Sequence, residues 1–154
     1  MIQTKVEIDA PASVFWQVIA DYEKYPEFLK DLKNVKVQKT EGNKKTVFHE
    51  AEIVKPITYT LELFEEVPLK KLSWRLIDCS KVSIAFIKFK VIEKNEGWWD
   101  VIENGPDKCT GVYNIDIKLN SKIPAALTEP VLKKNLPGTM AAFKKRTEEL
   151  AAKK

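Results

Sequence analysis

Apolar and polar residues alternate along most of this chain, and a period of two predicts β-strands. The first strand is predicted at Ile2–Asp9, where the alternation begins. The pattern returns at Val35 and continues to about Leu119. The strands predicted in this region are Val35–Lys39, Lys45–Val54, Ile57–Val67, Lys71–Asp78, Val82–Lys94, Trp98–Glu103 and Thr110–Leu119.

Short segments rich in turn-forming residues separate the predicted strands. Examples are Glu41–Asn43, Lys55–Pro56, Asn95–Gly97 and Asn104–Asp107. Such segments are typical of β-hairpins, and they are too short to contain a crossover helix. The strands are therefore predicted to run antiparallel.

Helical patterns lie on both sides of this strand-rich region. Pro11 suits the first position of a helix, and Val14–Ile19 carries an apolar helical stripe. A second short helix is predicted next, with Asp21 as its cap and Tyr25–Pro26 as its turn-like middle. Two short helices are thus predicted after the first strand.

A long helix is predicted to end the chain, beginning near Pro124. Apolar residues three and four positions apart give it one face to bury. This stripe consists of Leu132, Leu136, Met140, Phe143, Thr147 and Leu150. Pro130 and Pro137–Gly138 predict a kink or a split, because proline has no backbone donor.

Together these elements predict an α+β fold in a single domain, residues 1–154. A curved antiparallel sheet must cover its apolar face, and the C-terminal helix is the element available to cover it. One helix cannot fill the concave side of so large a sheet. A cavity is therefore expected between the sheet and the helix.

The composition is that of an ordinary folded domain. Hydrophobic residues make up 44% of the 154 residues and charged residues 31%, which excludes a disordered chain, a collagen-like repeat and a coiled coil. No segment approaches the ~20 apolar residues of a membrane span. Met1–Ala10 lacks the regions of a signal peptide, so a cytoplasmic location is expected.

The net charge of +4 is mild, and the basic residues form scattered pairs. A solvated surface is the simplest interpretation, so nucleic-acid binding is not expected; the alternative is a patch for nucleic acid or an anionic membrane. Aromatic and basic residues interleave in one stretch, Phe86–Lys90.

Residues able to carry out chemistry are few. One histidine cannot supply a metal cluster, no Ser/His/Asp arrangement is evident, and the five glycines form no phosphate-binding loop. Cys79 and Cys109 lack the spacing of a metal or redox site, so they are predicted to be buried free thiols. Neither a cofactor nor a metal is expected.

Strand parity selects the side chains that are predicted to face the cavity. His49 falls on the inward face, where it could bind a polar group or transfer a proton near its ordinary pKa of about 6.5. The alternatives are a histidine hydrogen-bonded within the wall or an exposed one. Trp98 and Trp99 must point to opposite faces, with Trp99 inward. The predicted ligand-binding residues are His49, Tyr59, Leu61, Trp74, Trp99, Tyr113, Ile115, Met140 and Phe143.

Tyr59 and Tyr113 could orient a ligand through their hydroxyls, or they could simply fill the core. The same choice applies to Met140 and Phe143, which suit the underside of the terminal helix. No catalytic residue is assigned from the sequence.

Three stretches of the chain resemble a known superfamily. The first is VEIDAPASVFWQVIADYEKYPEFL at residues 6–29, and the second is LSWRL at residues 72–76. The third is GWW at residues 97–99, followed by CTGVYNI at residues 109–115. They resemble the START-like superfamily (SRPBCC, birch-pollen-allergen-like), and most closely its polyketide cyclase/dehydrase and coenzyme Q-binding lipid-transport branch.

This resemblance implies a helix-grip fold that binds or transports a hydrophobic or amphipathic small molecule, such as a lipid, a quinone or a polyketide-like compound. One alternative is a cyclase or dehydrase acting in the same cavity, with His49 or a tyrosine as the proton carrier. A second is a module that binds the ribosome or another protein through basic residues such as Lys144–Arg146. Fold alone does not decide among them, so the sequence leaves open whether a reaction is catalysed.

Overall fold

The computed structural model describes residues 1–53, 55–131 and 135–153. Helices and strands follow one another in an order close to the predicted one. They are β1 (Ile2–Ile8), α1 (Ala12–Ala20), a 3-10 helix (Tyr22–Glu27), β2 (Leu32–Glu41), β3 (Lys44–Ile53), β4 (Lys55–Val67), β5 (Lys71–Cys79), β6 (Lys81–Ile84), β7 (Ile87–Lys90), β8 (Ile92–Gly105), β9 (Lys108–Leu119), α2 (Ala125–Glu129) and α3 (Asn135–Ala152). Within these residues no helix is long and apolar enough to cross a membrane.

Seven strands form one antiparallel sheet in the order β1-β9-β8-β5-β4-β3-β2. The first strand therefore joins the sheet through the last one. Strands β2 to β5 follow each other as hairpins, as do β8 and β9, and β8 pairs with β5 after the chain has formed β6 and β7. Strands β6 and β7 form a separate hairpin. The α+β helix-grip fold predicted from the sequence is confirmed, with both short helices in the connection after β1.

The core lies between the concave face of the sheet, α1 and α3. Phe15 of α1 is fully buried, and its ring meets Trp99 edge-on at a centroid distance of 5.3 Å. Phe143 of α3 approaches Trp99 from the other helix, also at 5.3 Å. Edge-to-face contacts of this kind add to the stabilisation that burial provides, so Trp99 joins both helices to the sheet.

The helix ends differ in detail from the predictions. Pro11 lies one position earlier than predicted, as the residue before α1, and Asp21 makes no side-chain capping hydrogen bond. Two other contacts hold the segment between α1 and β2. The Tyr25 hydroxyl donates to the Ile19 carbonyl, and the Val37 amide donates to a Glu23 carboxylate oxygen over 2.9 Å.

The predicted strand Val82–Lys94 is wrong. The chain turns back at Ala85 and Phe86, which have φ angles of 52° and 67°, so the segment forms β6, β7 and the start of β8. Two-residue hairpin turns require positive φ and normally carry Asn or Gly there. Ala-Phe gives no such signal, and the period-two pattern continues across the turn.

The turn predicted at Asn95–Gly97 is also wrong, because these residues lie inside β8. A Cβ atom at Gly97 would lie 2.0 Å from the backbone oxygen of Asn114 on β9. Gly97 therefore permits a close approach of two strands and does not end either of them.

The structure describes the predicted terminal helix as two stretches, α2 and α3. Residues 132–134 between them lie outside the described residues, so the kink or split expected at Pro130 stays a prediction. Pro137 and Gly138 do not split the helix, because both lie within α3. Met140, Phe143 and Thr147 are buried, which confirms the apolar stripe from Leu136 onwards. Val54 of the predicted third strand and Leu132 of the stripe lie outside the described residues.

Candidate functional site

A cavity of two adjoining chambers lies between the sheet and α3. The outer chamber has a volume of about 520 Å³ and the inner one about 140 Å³. Leu29, Leu32, Tyr59 and Thr139 line both chambers. The cavity expected from the sequence is therefore present, and its larger part falls in the range typical of small-molecule sites.

The outer chamber opens to solvent beside the start of α3. Three exposed charged residues line it, namely Lys30, Asp31 and Glu52. Phe28 and Ala142 supply apolar surface in the same chamber. A molecule with an apolar body and a polar end could thus lie here with that end in water.

Aromatic and aliphatic side chains make up most of the inner chamber wall. Strands β3, β4, β5, β8 and β9, the stretch from the 3-10 helix to the start of β2, and α3 all contribute. The lining residues are Tyr25, Leu29, Leu32, His49, Tyr59, Leu61, Leu63, Leu72, Trp74, Asn95, Trp99, Tyr113, Thr139 and Phe143.

His49 lies on the inward face of β3, with 4% of its surface exposed. Its Nδ1 is 3.1 Å from the Val47 carbonyl oxygen. A carbonyl oxygen only accepts, so Nδ1 carries the hydrogen and Nε2 is left with a free lone pair. Burial lowers the pKa of His49 to about 4, although the hydrogen bond to Val47 acts in the opposite direction. The imidazole is therefore neutral at physiological pH.

Tyr59 and Tyr113 present hydroxyls to the same chamber. Burial raises the pKa of both phenols above the ordinary value, so both keep their protons. Neither hydroxyl has a hydrogen-bond partner among the described residues. Neither oxygen is fully buried, so each remains accessible to a small molecule in the chamber. Each can therefore donate one hydrogen bond and accept others within the chamber.

The Asn95 side chain adds a further polar group to the chamber wall. Its Oδ1 accepts from the Trp74 indole Nε1 over 3.0 Å, which fixes the amide orientation. The Nδ2 group has no partner among the described residues. The sequence does not indicate Asn95 as a lining residue, because Asn-Glu-Gly is typical of a turn.

Seven predicted ligand-binding residues line the inner chamber, namely His49, Tyr59, Leu61, Trp74, Trp99, Tyr113 and Phe143. Ile115 and Met140 line neither of the two chambers as described. Ile115 is half-buried against the core, and Met140 is 4% exposed within it. Strand parity identifies the inward face of a sheet, but it does not say which inward residues border open space.

The stretch from the 3-10 helix to the start of β2 supplies lining residues that strand parity could not indicate. Leu29 and Leu32 line both chambers, and Tyr25 lines the inner one. Their apolar pattern predicted burial without a location. The edge-on contact of Tyr25 with Phe143, at 5.5 Å, brings this segment against α3.

The basic cluster Lys144–Arg146 is engaged by carboxylates. Lys144 contacts Glu148 at 2.6 Å, and Arg146 contacts Glu27 at 2.6 Å. Lys145 lies 4.0 Å from Glu149. These pairs offset the positive charge of this helix surface.

The cavity and the fold define the class of this protein. An antiparallel sheet closed by a C-terminal helix over an aromatic-lined cavity is the helix-grip arrangement of START-like proteins. The chain belongs to the family described as polyketide cyclase/dehydrase and lipid transport, whose model matches residues 8–144. Family and fold fit a protein that binds a hydrophobic ligand.

Several solved structures are similar over almost the whole chain. A START superfamily protein from Mycobacterium smegmatis is 16% identical, with a TM-score of 0.80 and 97% of each chain covered. The Zhui aromatase/cyclase from Streptomyces sp. R1128 is 15% identical, with a TM-score of 0.78, covering 96% of this chain and 92% of that one. A protein from Thermus thermophilus is 18% identical, with a TM-score of 0.75 and 99% of each chain covered.

These identities show a shared fold and nothing finer. No similar sequence was found among curated proteins.

Proposed function

We propose that the chain binds a hydrophobic or amphipathic small molecule bearing oxygen functions, such as a quinone, a polyketide-like compound or a lipid. One observation carries the proposal. The inner chamber has apolar and aromatic walls, and it also contains polar groups of His49, Tyr59, Tyr113 and Asn95. Each of these residues has a hydrogen-bond donor or acceptor that no described residue satisfies. Few polar groups in an apolar pocket are typical of sites that orient a ligand.

The polar groups define which ligand chemistry fits. His49 Nε2 accepts a hydrogen bond, Asn95 Nδ2 donates one, and a tyrosine hydroxyl does either. Hydroxyl and carbonyl groups on a ligand satisfy this set. A pure hydrocarbon would displace water from these atoms without replacing its hydrogen bonds, which costs binding free energy.

The chamber sizes suggest how such a ligand lies. The inner chamber, at about 140 Å³, accepts a compact oxygenated part. The outer chamber, at about 520 Å³, accepts the remainder, with Lys30, Asp31 and Glu52 near its polar end.

The second candidate function is catalysis of the cyclase or dehydrase kind. The observation that favours it is the neutral imidazole of His49 beside tyrosine hydroxyls in one chamber, which could orient a folding polyketide-like chain. The Zhui protein with the same fold is an aromatase/cyclase. Against a proton-transfer role, a pKa of about 4 makes His49 a weak base at neutral pH. Binding is therefore the primary proposal.

Fluorescence quenching tests the binding proposal, because Trp74 and Trp99 line the inner chamber. The chain is titrated separately with a short-chain ubiquinone, a hydroxylated anthraquinone and a fatty acid. We expect saturable quenching by at least one oxygenated ring compound. Absence of saturable quenching by all three contradicts the proposal.

A pair of variants on α3 shows whether the compound enters the cavity. Thr139 lines both chambers, so Thr139→Phe narrows their junction. Lys145 is 80% exposed in its side chain on the same helix, so Lys145→Phe adds the same ring outside the cavity. We expect a loss of at least about tenfold in affinity for the first variant only, since a blocked pocket loses its buried contacts. Equal affinities would place the binding elsewhere.

A further inference from the structure

The β6–β7 hairpin ends in an apolar tip that nothing in the described residues covers. Val82 and Phe89 are paired near its base and buried. On the same face, two pairs further out, Ile87 is 50% exposed, and Phe86 in the turn is fully exposed. An apolar face therefore continues from the core out into solvent.

The backbone of the turn makes this apolar tip more unusual. Ala85 and Phe86 both have positive φ angles, 52° and 67°. Asn and Gly adopt this conformation at least cost, whereas a bulky residue is strained there. Packing of Phe86 against the protein does not offset the strain, because the ring is exposed. The fold itself therefore does not account for an aromatic ring at this position.

The charged residues of the hairpin are all positive. The hairpin contains Lys81, Lys88 and Lys90 and no acidic residue. Lys90 contacts Asp78 at 2.7 Å, whereas Lys81 and Lys88 are exposed and make no ion pair within the described part of the chain. A small apolar protrusion flanked by lysines is complementary to an anionic lipid surface, where the apolar groups insert and the lysines meet headgroups.

The hairpin is also attached near the cavity opening. Lys55 at the start of β4 donates from Nζ to the Ser83 carbonyl oxygen over 2.8 Å. The neighbouring residues of β4 pair with Ala51 and Glu52, and both of these line the outer chamber. A surface that contacts the hairpin tip would therefore lie on the side of the molecule where the outer chamber begins.

We propose that the β6–β7 hairpin docks on anionic phospholipid bilayers, with Phe86 and Ile87 inserted in the interface and Lys81 and Lys88 at the headgroups. Stacking on single-stranded nucleic acid fits less well, because successive bases need more than one exposed ring and Phe89 is buried. Docking concerns the surface of the protein, so it does not depend on which compound the cavity binds.

Vesicle flotation with the full chain tests this proposal. Vesicles of equal parts phosphatidylcholine and phosphatidylglycerol are compared with phosphatidylcholine alone at low salt. We expect binding to the anionic vesicles, weakened by added salt because headgroup contacts are screened. The proposal is overturned if the chain does not float with anionic vesicles.

Matched variants locate the contact. In the Phe86→Asn, Ile87→Thr double variant, Asn suits positive φ and Thr suits a strand, so the hairpin should still form; thermal unfolding verifies this. We expect vesicle affinity to fall at least about tenfold, because two apolar side chains leave the inserted surface. Leu69→Asn is the control: Leu69 is also exposed with positive φ, but in the turn at the opposite end of β5.

The control variant should bind like the unchanged chain. The Lys81→Gln, Lys88→Gln double variant should lose most of the preference for anionic vesicles. Equal binding by the Phe86→Asn, Ile87→Thr variant and the unchanged chain would overturn the proposal. An equal loss in Leu69→Asn would do so too, since the effect would then not belong to the hairpin.

Discussion

The imidazole of His49 lies parallel to the phenol ring of Tyr59, with ring centroids 4.8 Å apart and an interplanar angle of 8°. The two residues face each other directly on β3 and β4. Cross-strand aromatic pairs of this kind stabilise a sheet. Here the pair also forms part of the inner chamber wall, so one contact serves both the fold and the candidate site.

The pKa of His49 gives the first testable prediction, a loss of stability at mildly acidic pH. The folded pKa of about 4 is below the unfolded value of about 6.5, so the unfolded chain binds the proton more tightly. The neutral histidine contributes stability above pH about 6.5, and this contribution is lost as the pH falls towards about 4. The difference amounts to about 3 kcal/mol, measurable as the free energy of unfolding in urea.

His49→Phe is the control for this titration, because phenylalanine keeps a ring against Tyr59 without an ionisable group. Between pH about 6.5 and about 4.5 its stability should change much less than that of the unchanged chain. Asp78 and Asp116, whose pKa values are lowered by lysine partners, titrate below this window and are present in both proteins. Identical pH profiles would show that His49 is not the group responsible.

The two free tyrosine hydroxyls give the second prediction. For a ligand that hydrogen-bonds with them, Tyr59→Phe and Tyr113→Phe should each weaken binding about fivefold to tenfold, since one hydrogen bond contributes ~1 kcal/mol. The stability of the protein without ligand should change little, because neither hydroxyl bonds within the described protein. Isothermal titration and urea unfolding provide the two measurements.

Tyr25→Phe is the matched control, because Tyr25 lines the same chamber but already donates to the Ile19 carbonyl. Removing that hydroxyl should lower stability by roughly 1–2 kcal/mol and leave ligand affinity nearly unchanged. The reverse pattern, with affinity lost in Tyr25→Phe and retained in the other two variants, would contradict the described site.

The glycines give the third prediction. Gly97→Ala forces a Cβ to within 2.0 Å of the Asn114 backbone oxygen, and a strand cannot move aside as a flexible side chain can. We expect a loss of about 3 kcal/mol or more. In Gly138→Ala the new Cβ meets nothing within 4 Å in α3, so the helix should gain roughly 0.5–1 kcal/mol. Thermal unfolding of both variants measures these changes. A Gly97→Ala variant as stable as the unchanged chain would contradict the described approach of β8 and β9.

Much of the fold could be predicted from local chemistry alone. Turn-forming residues at Glu41–Asn43 and Asn104–Asp107 mark hairpins, and hairpins dictate an antiparallel sheet. The inward position of Trp99 follows from its adjacency to Trp98, since neighbours on a strand point to opposite faces. Trp99 is 2% exposed, whereas Trp98 lies near the surface beside Lys71.

The failures have physical causes that involve tertiary structure. Gly97 is needed for contact with a strand that pairs with it only after folding, so it resembles a turn residue when considered alone. Ala85 and Phe86 make a turn that their own preferences disfavour. Leu29 and Leu32 enter the cavity wall because the 3-10 segment packs near α3, a relationship that no periodicity encodes.

The family resemblance predicts a hydrophobic ligand, but the free polar groups of the inner chamber depend on hydrogen bonds that strand parity does not indicate. The Val47 carbonyl determines which nitrogen of His49 is free, and Trp74 determines the orientation of Asn95. Strand parity placed His49 and Trp74 on inward faces without indicating either contact.

Native mass spectrometry of the purified chain, followed by organic extraction, tests the central claim most directly. We expect the unchanged chain to retain an oxygenated apolar molecule, and Thr139→Phe to retain much less of it than Lys145→Phe. Extraction then identifies the compound. If the unchanged chain carries only its own mass, and incubation with quinones, polyketide-like phenols and fatty acids adds no stoichiometric mass, the cavity does not serve as a ligand site.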